Sequence, residues 1–150
     1  LGFVNKIDGD IQIAQDLLNH MAVNGADYTL TFRRLCDLSI KSSDSDGHVR
    51  DLFGDSKEFD EWVIRWRRRL LIEGLGDPDR KSAMETVNPV FIPRNHLVEE
   101  AIRDALNQDF GLFEKLLKVY KEPFKYQPEF KHFMKPPLAH QKVHQTFCGT

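Results

Sequence analysis

Only two cysteines, Cys36 and Cys148, occur in the 150 residues. That is too few for the disulfide framework of a small secreted domain and suits a reducing compartment, so the cytoplasm is the expected location. Long hydrophobic runs are missing too. Stretches such as Leu70-Leu71-Ile72 are short and bracketed by charge, far from the roughly 20 apolar residues of a membrane-spanning helix, and no membrane partner is expected. Charge of one sign is missing as well: 21 Lys and Arg against 23 Asp and Glu give a net charge of -2. Such a balance offers no global attraction to nucleic acid or to an anionic surface, so any such binding must come from a local patch. Leu1-Gly2-Phe3-Val4-Asn5-Lys6 lacks a signal or transit pattern and an initiator Met, and the natural chain is expected to begin upstream.

The usual catalytic signatures are missing in turn. No G-x-x-x-x-G-K-[ST] loop, no G-x-G-x-x-G turn after a strand and no H-R-D or D-F-G sequence is found, so no nucleotide site can be assembled. G-x-S-x-G, C-x-x-C and H-E-x-x-H are missing as well. The expectation is a chain with no catalytic, cofactor-binding or metal-binding residues of its own.

What is present is helical periodicity. Ile11, Ala14, Leu17, Leu18 and Met21 form an apolar stripe that Asn24-Gly25 stops, and Asp27 caps a second helix presenting Tyr28, Phe32, Leu35 and Cys36. Residues 1–38 are thus expected as an antiparallel helical pair, with Arg33 and Arg34 turned to solvent or a partner. Residues 39–55 are read as a mobile loop, because Lys41-Ser42-Ser43-Asp44-Ser45-Asp46-Gly47 has nothing to bury. Residues 56–120 are the helical core. Ser56 caps a helix with Phe59, Trp62, Val63, Trp66 and Leu70, and Asp77-Pro78 opens a short one. Val90-Phe91-Ile92-Pro93 is extended and buried, Asn95 caps a helix carrying Leu97, Ala101, Ile102, Ala105 and Leu106, and a last helix holds Phe110, Phe113, Leu116, Leu117 and Tyr120. From 121 to 150, Pro123, Pro128, Pro136 and Pro137 among aromatic residues exclude a long regular helix and predict an irregular tail. The fold class is therefore all-α, a single irregular domain of about six helices with a Pro- and aromatic-rich extended tail.

Three clusters could carry chemistry. His140, His144 and Cys148 would share one face if the residues after Pro137 were helical, with His132 as a fourth ligand, but zinc sites show tighter paired ligands and solvated tail histidines are preferred. Arg65, Arg67, Arg68 and Arg69 surround Trp66 and could bind phosphates, with Trp62 or Trp66 for stacking. Helical spacing instead sends both tryptophans to the core and lets Asp60, Glu61 and Glu73 pair with the arginines, so nucleic acid is not the expected partner. Cys36 sits on an inner stripe as a small core residue, whereas Cys148, two residues from the last, is open to oxidation or disulfide formation.

Several stretches together carry a resemblance: Ala26-Asp27-Tyr28-Thr29-Leu30-Thr31-Phe32-Arg33-Arg34-Leu35, Trp62 to Leu70, Met84 with Asn88-Pro89, Arg94-Asn95-His96-Leu97, Glu100-Ala101-Ile102, Pro123, Gln127-Pro128-Glu129, and Phe147-Cys148-Gly149-Thr150. In this order and spacing the chain resembles the C-terminal third of the SelO family of kinase-like proteins, pseudokinases by sequence. The resemblance implies AMPylation, the transfer of AMP from ATP to hydroxyl side chains of other proteins, by a full-length nucleotidyltransferase that binds ATP and magnesium. The residues that do this lie upstream of the matched region, and none carries over.

The family's terminal cysteine or selenocysteine motif implies a redox role for Cys148, although the chain ends Phe-Cys-Gly-Thr instead of the more usual Ser-Cys-Ser-Ser type. The implied partners are the upstream kinase-like lobe and the protein substrates of the whole enzyme. Asn88, Pro89, Arg94 and Asn95 are read as a helix stop, a fixed turn, an ion pair and a cap, or alternatively as a brace in which Arg94 supports the kinase-like lobe across a domain interface. The competing reading is a free-standing helical module whose aromatic tail docks on another protein.

Overall fold

Among the residues described by a computed structural model, 1–54 and 57–142, regular structure is helical and no strand occurs. The fold is all-α. Seven α-helices are found among the described residues: α1 (Asp10–Asn24), α2 (Tyr28–Leu35), α3 (Gly47–Arg50), α4 (Lys57–Glu73), α5 (Asp77–Glu85), α6 (Asn95–Leu106) and α7 (Gly111–Tyr120). Short 3-10 helices cover Asp51–Phe53, Pro128–Met134 and Ala139–Gln141. Where the sequence reading has one domain, the contacts gather in two units, Leu1–Asn88 and Pro89–Thr150.

In the first unit the helix boundaries follow local chemistry. Gly25, at φ 63°, closes α1 with its N–H on the Met21 carbonyl, a left-handed turn that costs glycine nothing. The Asp27 carboxylate accepts from the Leu30 N–H at 2.9 Å and starts α2. Pro78 sits in the first turn of α5, where its missing N–H has no helical partner to lose.

The core is built on α4. Phe59, Trp62, Val63, Trp66 and Leu70 recur three or four residues apart and are all buried. A ladder of stacked rings runs from Phe53 through Phe59 and Trp62 to Trp66, with centroids 4.6, 6.0 and 5.8 Å apart. Both indole N–H groups are satisfied, Trp62 on the Ile13 carbonyl at 2.7 Å and Trp66 on the Leu1 carbonyl at 2.8 Å.

Three expectations change here. α1 packs chiefly on α4, not as an antiparallel partner of α2, because Leu17 and Met21 turn to the aromatic ladder while Ile11 and Val23 stay exposed. Segment 39–55 does bury side chains: α3 and the following 3-10 turn place Val49 and Phe53 in the core. Its polar run is held by Arg67, which donates to the Ser39 and Ser42 carbonyls and pairs with Asp46 at 2.5 Å. Arg33 and Arg34, half-buried, are engaged within the unit: Arg33 pairs with Glu85 at 2.8 Å, and Arg34 donates to the His48 carbonyl. The expected cap, Ser56, lies outside the described residues.

The second unit opens with a non-helical stretch that bends at Val90. Val90 and Phe91 are buried, and both of their N–H groups donate to the Pro123 carbonyl, at 2.8 and 3.1 Å. Between these points α6 and α7 form a helical hairpin. Leu97, Ala101, Leu116 and Val119 join Val90 and Phe91 in its core, and the tail contributes Phe133 from its 3-10 helix. Gln127, also buried, donates to the Val119 carbonyl at 3.2 Å. The described part of the tail, to residue 142, thus packs on its own unit through Gln127 and Phe133.

Candidate functional site

The cationic cluster is the densest concentration of functional groups, and the structure spends it on the fold. Arg65 pairs with Asp16 at 2.7 Å. Arg67 holds the 39–46 segment. Arg69, almost wholly buried, pairs with Asp10 at 2.5 Å and Glu73 at 2.7 Å, donates to the Asn5 carbonyl and lies 4.6 Å from the Phe3 ring centroid. Arg65 and Arg68 are exposed, and of these two Arg65 is held by its pair with Asp16. Trp62 and Trp66 are fully buried, so neither offers a face to a base.

The carboxylates are occupied in the same way. The Arg69 hydrogen bond holds Asp10 below the usual carboxylate range. Burial acts to raise Glu73, but Arg69 and the N–H groups of Asn5 and Val4 outweigh it and hold it low. Asp77 is similar: burial is opposed by the Ile40 N–H, the Ser39 hydroxyl and Arg80, with a lowered pKa as the result. Arg80, missed in the sequence, is 1% exposed. It donates to the carbonyls of Leu35, Cys36 and Leu38 just where α2 ends.

These donors test the fit of ATP and magnesium directly. A nucleotide triphosphate needs free cations, and magnesium needs free carboxylate oxygens. Arg67, Arg69, Asp10, Asp46 and Glu73 are engaged with one another or with the backbone. This cluster, the densest among the described residues, therefore does not fit the group. No set of three or more His, Cys, Asp or Glu side chains among them could hold a metal ion. His140 lies in a 3-10 turn that ends at Gln141, while His144 and Cys148 lie outside the described residues.

Asn88 is buried and reads as its residue type suggests. Its amide donates to the Met84 carbonyl at 2.9 Å and to Cys36 Sγ at 3.7 Å, and its carbonyl accepts from Arg33 at 3.2 Å. Burial pushes the Cys36 thiol up despite the Asn88 contact. Pro89 begins the second unit. There Arg94 is buried, and its carbonyl accepts the N–H groups of Leu97 and Val98, making position 94 the helix cap. Asn95, assigned the cap from sequence, is instead the first helical residue, and no side chain caps α6. Burial and the Arg94 charge lower His96, and burial raises Tyr120. The structure thus brings Asn88 to Cys36 and Arg33, and places Arg94 and Asn95 together in the other unit.

The family model described as "Protein adenylyltransferase SelO" matches residues 1–121. "Protein nucleotidyltransferase YdiU" of Nitrobacter winogradskyi is 49% identical over 150 residues, which cover all of this chain and 30% of that protein. Proteins of the same description from Rhodopseudomonas palustris (strain BisB5) and Bradyrhizobium diazoefficiens are each 48% identical over 151 residues, again covering all of this chain and 30% of their own length. The chain belongs to the SelO family. It spans about 30% of the length of the curated relatives it matches. No helix among the described residues is long and apolar enough to cross a membrane.

Proposed function

We propose that this chain is the helical C-terminal region of a SelO-type protein adenylyltransferase of the cytoplasm, which transfers AMP from ATP to hydroxyl groups of protein substrates. Its own part is to support the upstream kinase-like lobe, which binds ATP and magnesium, and it is not catalytic alone. The observation that carries this reading is the commitment of Arg67, Arg69 and Arg80: each guanidinium ties separate segments of the first unit together, as a scaffold requires. Cys148 is the candidate redox handle, in keeping with the family's terminal motif; Cys36 is a structural thiol.

The test is transfer of labelled AMP from magnesium-ATP to protein. This chain is assayed alone and beside the full-length Nitrobacter winogradskyi relative. Label should appear only with the full-length protein. Transfer by the 150 residues alone, free of contaminating activity, would mean that the chemistry lies within them.

A further inference from the structure

Two helix faces that the sequence marks as core are left bare. α6 and α7 enclose an open groove of about 450 Å³ lined by Ala101, Ile102 and Ala105 on one side and Phe113, Leu116 and Leu117 on the other. Leu106, also in its lining, is 81% exposed, and Ile102, Phe110, Phe113 and Leu117 are each between 47% and 52% exposed. Of the residues lining it, Tyr120 alone has a polar side chain. Single exposed apolar side chains are ordinary, but a contiguous cluster on so small a unit marks an interaction site.

The groove is shaped before anything binds. Asp109 receives the Gly111 N–H on its carboxylate at 2.9 Å and donates its own N–H to Asp104, fixing the turn between the helices. Ala101 and Ala105, one turn apart, set a low row opposite the taller row of Phe113 and Leu117, and such relief accepts the ridge of another helix. The exposed charges of the two helices, Glu99, Arg103, Glu114, Lys115 and Lys118, are of both signs, so recognition falls to the apolar side chains.

We propose that the α6–α7 groove seats an amphipathic helix from the part of the SelO-type polypeptide outside these 150 residues. This rests on the reading above and names the surface through which the support acts. The occupant follows from length: relatives nearly half identical to this chain carry about 70% of their residues elsewhere, ample chain to cover the patch.

The experiment is sedimentation of this chain with the separately produced remainder of the Nitrobacter winogradskyi relative, with that relative's own matching segment as positive control. Wild-type chain and Val23→Asp, altered at an exposed α1 site outside the groove, should bind. Phe113→Asp should weaken binding at least about 30-fold, the size of an interface hot spot. Leu117→Ser, a milder change, replaces it if circular dichroism shows Phe113→Asp unfolded. Undiminished binding by the groove variants overturns the groove and leaves the reading of the chain intact. Failure of the wild-type chain where the control binds overturns that reading itself. A wild-type dimer that the groove variants dissociate assigns the groove to a second copy and overturns the proposal.

Discussion

The Arg80 guanidinium lies 5.4 Å from the ring centroid of Trp66, so a permanent charge sits against the fully buried indole at the centre of the first unit. The position is tolerable because three backbone carbonyls, the Met84 sulfur and Asp77 surround the cation. Arg80→Leu would keep much of the volume and remove the guanidinium donors from the Leu35, Cys36 and Leu38 carbonyls. A loss of about 3 kcal/mol is expected, read as a lower urea midpoint with an unchanged slope.

Trp62 and Trp66 should both emit as buried indoles, shielded from iodide until urea unfolds the chain. Trp62→Ala should cost about 3–5 kcal/mol, since it opens a cavity in the aromatic ladder and removes the indole bond to the Ile13 carbonyl. A mild effect on the urea midpoint would show that the ladder is not the centre of the core.

Arg67→Ala should free the segment it holds. Limited trypsin digestion is expected to cut after the exposed Lys41 in the variant and to spare it in the wild type. Loss of the Asp46 pair and two carbonyl bonds should cost about 2 kcal/mol.

Acid sensitivity follows from Asp10, Asp16, Glu73 and Asp77, all held below their ordinary values in the fold. A carboxylate depressed on folding contributes stability above its unfolded pKa, about 4, and loses it as pH falls through the folded value. The urea midpoint from these groups should therefore be flat between pH 7 and about 5 and decline below about 4. Asp10→Asn should make that decline shallower; an unchanged slope would show that its pairing with Arg69 is not ionic.

The two thiols should separate cleanly. Cys36 is buried with a raised pKa, so it holds less thiolate at pH 8 than a free thiol does. Iodoacetamide on native protein, followed by peptide mass spectrometry, should label Cys148 first and Cys36 only in denaturant. Labelling of Cys36 first would contradict both the packing and the redox assignment.

Helix starts and stops were legible because their chemistry is local. Asp27 before Leu30, Asn24-Gly25, Asp77-Pro78 and the Phe59 to Leu70 stripe each act over one or two turns. Val49 and Phe53 were not, because Ile40, Val49, Leu52 and Phe53, scattered through a polar stretch, define no sustained period, and Arg67 supplies order from a distant helix. Arg80 was equally hidden: nothing near it in sequence tells of carbonyls some forty residues earlier. For α6 and α7 the stripes were read correctly as apolar, yet periodicity counts apolar residues without saying what covers them, so Ile102, Leu106 and Phe113 passed as core.

The double use of the Pro123 carbonyl has a dynamic consequence. Val90 and Phe91 hang from one acceptor, and the whole helical hairpin lies between clasp and anchor. Releasing that acceptor would free both amides at once and untie the hairpin at its base. In hydrogen exchange the two amides should open together, with one common opening free energy shared by the inner turns of α6 and α7, so that this stretch exchanges as a single cooperative unit.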